Sequence, residues 1–202
     1  MISLISIIKA IGYIGVFGII FAETGVFFGF ILPGDTLLFA CGVLAYKKYF
    51  NLPLIIIIIA LAAICGGFFG YWFGKKVSEK IFTKKDTLFF KKKHLEKAHD
   101  FFNEYGSKTI FIGRYVPIVR TFVSTIAGVA NMKYKKFAVY NIVGAIAWAT
   151  TIPLLGYFVG KRIPSIDDYI LPIIFIACIL SFSPIVYEVI RKKKRQKTNP
   201  IV

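Results

Sequence analysis

Histidine is almost missing from this chain. Only His94 and His99 occur in 202 residues, both inside a lysine-rich stretch. Hydrolysis of a lipid phosphate commonly runs through a histidine nucleophile or a serine–histidine pair, so this scarcity weighs against a lipid phosphatase. The two histidines lie five apart and face different directions on a helix, which weighs against a metal site. Cysteine is equally sparse. Cys41, Cys65 and Cys178 stand singly in apolar surroundings, without metal-ligand spacing or an obvious pairing, and read as buried, inert thiols. No cofactor is called for. Acids are few: ten Asp and Glu against 26 Lys and Arg, a net charge of +16. That excess is not a nucleic-acid footprint. The lysines lie mainly between or after apolar runs, as expected of cytoplasmic loops in a membrane protein. No small-residue cleavage site follows the apolar run at 10–22, so this run reads as mature protein and not as a signal peptide.

What the chain has in abundance is apolar sequence. It is 57% hydrophobic with a mean hydropathy of +0.70, which a soluble domain of this size rarely reaches. The expected class is an all-α integral membrane protein with a single domain over 1–202. Five apolar regions stand out: 11–45, 53–74, 109–132, 137–160 and 169–187. Crossing a bilayer takes about 20 apolar residues as helix. Regions 53–74, 137–160 and 169–187 meet that length without a charged residue and are predicted transmembrane helices. Region 11–45 is too long for one span and short for two. Pro33-Gly34 breaks it, and Asp35 then stands where an N-cap belongs. Region 109–132 is shorter and broken by Pro117. Both are predicted re-entrant hairpins, because irregular backbone at membrane depth is tolerated only when buried in protein or lining a wet cavity.

The loops agree. Segment 75–108 has ten lysines against five acids, and the tail 191–202 begins Arg191-Lys192-Lys193-Lys194-Arg195. Both should be cytoplasmic, and the parity works if 109–132 turns back rather than crosses. Segment 87–105 carries Leu88, Leu95, Phe102 and Tyr105 near helical spacing and predicts an amphipathic helix on the cytoplasmic surface within a linker over 78–105.

The two hairpin regions also hold charge. Glu23 and Asp35 flank Pro33-Gly34, and Arg114 and Arg120 flank Pro117. A charge at the bilayer centre costs roughly 2.5–3.5 kcal/mol on insertion scales and usually marks function. A shift of 86 residues aligns the two regions. Gly42-Val43 falls on Gly128-Val129, Lys47 on Lys133, and Gly70-Tyr71-Trp72-Phe73-Gly74-Lys75 on Gly156-Tyr157-Phe158-Val159-Gly160-Lys161. Each unit, about 11–77 and 106–163, is a hairpin plus one span. It crosses an odd number of times, so the second copy is inverted, as in many secondary transporters. A last helix at 169–190 and the basic tail follow.

These motifs resemble the DedA family, also called VTT-domain or SNARE-associated membrane proteins. The resemblance rests on the acid twelve residues before the aspartate of Pro33-Gly34-Asp35, and on Phe111-Ile112-Gly113-Arg114-Tyr115-Val116-Pro117-Ile118-Val119-Arg120 with Ala127-Gly128. Asn141 to Trp148 and Gly156-Tyr157-Phe158-Val159-Gly160 extend it, over roughly 10–162. One departure is Gly67, where the family often has an acid. The resemblance implies a multi-pass protein of the bacterial inner membrane, with its C-terminus cytoplasmic, that moves lipids between leaflets. Polyprenyl phosphate is the first candidate and phospholipids the second.

On that reading Arg114 and Arg120 take the phosphate headgroup, since the planar guanidinium suits bidentate phosphate binding. Glu23 and Asp35 hold both arginines while the site is empty and couple transport to protons or sodium. Burial favours a neutral carboxyl, so one acid can take a proton as phosphate displaces it. The tips at Pro33, Gly34, Thr36 and Pro117 shape the site, with backbone donors near Asp35 and Thr36 free for an anion. The partners expected are phosphate-headgroup lipids and the coupling ion, with a homo-oligomer allowed and nucleic acid excluded. The competing readings are a phospholipid scramblase or phosphatidylethanolamine flippase, a structural protein held by a buried charge network, and the phosphatase disfavoured above.

Overall fold

A computed structural model describes residues 4–25, 34–83, 102 and 104–162. All regular structure among them is helical: α1 (Leu4–Gly25), α2 (Gly34–Tyr46), α3 (Leu52–Thr83), α4 (Lys108–Gly113), α5 (Pro117–Val129) and α6 (Tyr134–Arg162). Residues 26–33, the segment 84–101 with most of the predicted amphipathic helix, and 163–202 with the last span and the tail lie outside the described residues. So does Pro33.

Length separates the helices into two kinds. Leu52–Ser78 and Tyr134–Arg162 are long and apolar enough to cross a membrane. They extend the predicted spans, and α3 runs nine residues past Gly74 because lysine-rich sequence continues a helix readily once it leaves the apolar layer. Helices α2 and α5 have 13 residues each. At 1.5 Å per residue that is about 20 Å, short of a hydrocarbon layer about 30 Å thick.

Local sequence sets the helix starts. The Asn51 side chain accepts a hydrogen bond from Leu54 N at 3.1 Å, and Pro53 occupies the first turn of α3, where its missing N–H costs nothing. Val116 is held extended (φ −106°, ψ 110°) before Pro117, which opens α5. Region 109–132 therefore divides into α4, a three-residue turn and α5. Asp35 was expected at an N-cap. It lies inside the first turn of α2, which begins at Gly34, and its carboxylate turns sideways to other helices.

The contacts fix how these pieces meet. Tyr13 accepts a hydrogen bond from Asn51 N at 2.8 Å, and further along the same two helices Gly25 meets Gly66. Helix α1 thus runs parallel to α3 and ends beside its middle. Helix α2 packs mainly on α6, and α5 on α3. Both packings are backbone-close and use small residues as helices in lipid do. A Cβ at Gly156 would overlap the carbonyl of Phe39, and one at Gly160 would crowd Val43. A Cβ at Gly74 would overlap the carbonyl of Thr125 and lie 3.1 Å from Val129 N. Because the obstacle is backbone, Gly74→Ala and Gly156→Ala are each expected to lower stability by about 1–3 kcal/mol, read as a reduced unfolding temperature of the purified protein.

Two apolar clusters form the interior. One gathers Val16, Ile20, Leu38, Ile55, Ile59 and Trp148; the other gathers Tyr71, Phe102, Ile110, Val123, Ala127 and Phe137. Cys41 is buried in the first, as expected. Cys65 is exposed, a correction to its reading as a buried thiol: it lies on the face of α3 away from the bundle. Cys178 is outside the described residues. Between the clusters, buried polar side chains collect: Glu23, Thr24, Arg114, Arg120, Thr121, Ser124 and Asn141.

Candidate functional site: a charged centre between two helix breaks

The four charges singled out by sequence come together from three places. Glu23 is in the last turn of α1, Asp35 in the first turn of α2, and Arg114 and Arg120 flank the start of α5. Glu23, Arg114 and Arg120 are at most 5% exposed. Side chains this dry need partners, because isolated buried charge is costly.

Arg120 has two acid partners, although its Nε is buried without a hydrogen-bond partner. Its Nη1 donates to Asp35 Oδ1 and its Nη2 to Glu23 Oε1, so one guanidinium bridges both arms of the first hairpin region. The Trp148 ring lies 4.8 Å from the Arg120 Cζ, a cation–π distance. Trp148 Nε1 also donates to Asp35 Oδ1 at 3.0 Å. Gly34 makes room for this: a Cβ there would overlap the Glu23 carboxylate. The same contact corrects one expectation. The N-terminus of α2 has the Glu23 carboxylate against it and does not stand open to an outside anion. Thr36 is half-buried in that turn and joins none of these ion pairs. Pro117 opens α5 and sets the turn that carries both arginines.

Arg114 is different, and here too the structure corrects the sequence. The acids were expected to hold both arginines. Among the described residues neither acid pairs with Arg114. Its Nη2 donates instead to Asn141 Oδ1 at 2.5 Å and to the Ala63 carbonyl at 3.3 Å, while its Nε is buried without a hydrogen-bond partner. Asn141 is fixed in turn by Nδ2 donating to the Ile64 carbonyl at 3.2 Å. Gly67 permits the arrangement, because a Cβ there would overlap Asn141 Oδ1. Asp35 is the open edge of the centre, with its side chain 40% exposed.

Sequence reasoning missed the roles of Asn141 and Trp148. They stand seven residues apart, two turns along one face of α6, and each touches one arginine. The available signal was Asn141 itself, the single amide in the apolar run 137–160. Trp148→Phe keeps a ring under Arg120 and removes the N–H to Asp35. The expected cost is about 1 kcal/mol, at the lower end for a charged acceptor because Asp35 is partly solvated, and a thermal unfolding comparison measures it.

Known proteins resemble this chain along most of its length. The VTT domain family model covers residues 32–158. Protein DedA of Escherichia coli K12 is 38% identical over 184 residues, 90% of this chain and 84% of that protein. The chain belongs to the DedA family. An uncharacterized membrane protein of Mycobacterium tuberculosis H37Rv, Rv0364, is 36% identical over 196 residues, covering 93% and 86% of the two chains. Inner membrane protein YqjA of Escherichia coli K12 is 30% identical over 149 residues, 74% and 68%. No solved structure matches the chain. As a DedA-family protein with two helices of membrane-spanning length, it is an all-α membrane protein, and all four charges of the centre except Glu23 fall inside the VTT match.

Proposed function

We propose that this DedA-family protein is a lipid transporter. It passes the phosphate headgroup of a lipid, polyprenyl phosphate first among candidates, across the bacterial inner membrane while the acyl or prenyl chain stays in the bilayer. The observation that carries the reading is the unequal pairing of the two buried arginines. Arg120 faces two carboxylates and Arg114 faces none among the described residues. A structural charge network alone would be expected to match each arginine with an acid. A phosphate that enters beside Arg114 meets a guanidinium that no described carboxylate occupies, and planar guanidinium groups bind phosphate oxygens well.

Glu23 and Asp35 have the coupling role. With both carboxylates on Arg120, the trio carries one excess negative charge. An entering phosphate adds more, and a proton or sodium ion on a carboxylate offsets it. Arg120 is then released from one acid and turns to the headgroup. Asp35, the partly exposed member, is the side from which the coupling ion enters.

The architecture suited to this role is an inverted repeat of re-entrant hairpin plus span. Three facts support it: the 13-residue helices, the end of α1 beside mid-α3, and contacts that correspond under the 86-residue shift. Gly156 and Gly160 pack on Phe39 and Val43; Gly70 and Gly74 pack on Thr125 and Val129. The end of the bundle with Lys75, Lys76, Lys133, Lys135 and Lys136 is assigned to the cytoplasm, with the C-terminus on that side and the Lys48 end outside. The assembly is a monomer or homo-oligomer around this unit, without catalytic chemistry.

Proteoliposomes carrying polyprenyl phosphate in one leaflet test the proposal. The expected result is protein-dependent movement that an imposed pH gradient accelerates in one direction and slows in the other. Excess phosphatidylethanolamine should compete weakly. Equal movement of several phospholipids without a gradient would instead identify a scramblase.

A further inference from the structure

The two arginines of the centre differ in kind, and that difference extends the transport reading. Arg120 is neutralised within the protein. Arg114 is 3% exposed and faces no acid among the described residues; its Nε is buried with no acceptor, as is that of Arg120, so the missing acid is what sets it apart. The neighbours of its guanidinium are neutral: the Asn141 amide, the Ala63 carbonyl and the wall of Gly144, whose Cβ position lies 3.1 Å from Arg114 Cδ. Arg120 adds like charge nearby. A cation in such a place is costly unless an anion accompanies it.

We infer that Arg114 and Asn141 form a phosphate-group site whose counter-ion comes from outside the protein, and that Asn141, admitted by Gly67, is the positioning residue that keeps the site vacant of any internal carboxylate. Three points support this. Asn141 is 0% exposed, and both ends of its amide are engaged, Oδ1 with Arg114 and Nδ2 with Ile64 O, so its orientation is fixed. The amide aims the Nη2 edge and leaves the Nε edge without an acceptor, which is the edge a phosphate oxygen would use. The missing side chain at Gly67 is what allows an amide of this size to reach Arg114. The inference rests on the transport reading for the lipid source of the phosphate, while the site itself also accepts free inorganic phosphate.

Asn141→Asp is the discriminating variant. It is nearly isosteric and places a carboxylate on Nη2, so it supplies internally what the site is proposed to take from outside. The purified full chain in detergent is heated with increasing inorganic phosphate, and separately with polyprenyl phosphate, against sodium chloride at matched ionic strength. Wild type should show a saturable rise in unfolding temperature with phosphate beyond the chloride control, with the lipid half-saturating at lower concentration. Asn141→Asp gains an ion pair with Arg114 but loses the donor to Ile64 O, and should need at least tenfold more phosphate for half-saturation than wild type. Asn141→Ser, which stays neutral but no longer fixes the guanidinium, should weaken the response less than Asn141→Asp does. If Asn141→Asp fails to fold, Arg114→Gln serves: it should fold and lose the response.

A response to either phosphate source that Arg114→Gln and Asn141→Asp both remove supports the site. No response to either source, or a response that both variants retain, overturns it. Its failure is separable from that of the transport reading. Lipid movement by wild type that Asn141→Asp leaves unchanged, with no phosphate response, removes the anion site alone. A phosphate response without lipid movement removes transport alone.

Discussion

Arg120→Ala is expected to destabilise the protein by about 3–5 kcal/mol, the largest stability effect of any single change at the centre. The cost does not come mainly from the lost attraction. It comes from what remains: Glu23, 1% exposed, would be left in a dry interior without its cation, either charged there or obliged to take a proton, and Asp35 would lose its link to α1. Removal of one partner from a buried ion pair leaves an uncompensated charge, whereas removal of both partners is often nearly neutral. The Glu23→Gln/Arg120→Gln double variant should therefore be more stable than Arg120→Ala, with a favourable coupling of about 1–3 kcal/mol in a double-mutant cycle. Unfolding of the purified proteins in the same detergent gives both values. A single-variant cost below about 1 kcal/mol would mean that the Arg120 bridge is not a structural latch.

Arg114→Gln is expected to behave in the opposite way. No carboxylate among the described residues depends on Arg114, so its removal orphans no acid. It also relieves a buried charge whose direct partners are neutral. Stability should stay within about 1 kcal/mol of wild type. Transport should fall steeply, because truncation of one partner in a desolvated charge pair typically costs about 2–5 kcal/mol of binding. That is more than tenfold in rate when the lipid is below saturation. The contrast between the two arginines is the functional signature. One carries stability with function, the other function with little stability. A purely structural network would place a large folding cost on both.

Much of this was legible in the sequence, for reasons tied to single residues. Charges stand out against apolar sequence, so Glu23, Asp35, Arg114 and Arg120 could be picked without coordinates. The helix breaks were legible because Pro-Gly and an internal proline carry their own backbone rules. Glycine spacing indicated close packing, and the contacts of Gly160 with Val43 and of Gly74 with Val129 correspond under a shift of 86 residues. Pairing was not legible. Which arginine meets which acid depends on where α1, α2 and α5 end in space, and the separations are large: 97 residues from Glu23 to Arg120 and 113 from Asp35 to Trp148. Asn141 and Trp148 were hidden because an amide and an indole in an apolar helix look like packing residues until the partner is seen. The exposure of Cys65 was missed for a related reason. Apolar surroundings in sequence mean burial in a soluble protein, but in a membrane helix they also describe the face turned to lipid.

The most direct test is the rate at which polyprenyl phosphate crosses reconstituted liposomes with wild type and with Arg114→Gln, each first verified as folded. Movement is expected with wild type, and at least a tenfold loss with Arg114→Gln at unchanged unfolding temperature. Wild-type rates in the folded Arg114→Gln protein would contradict it.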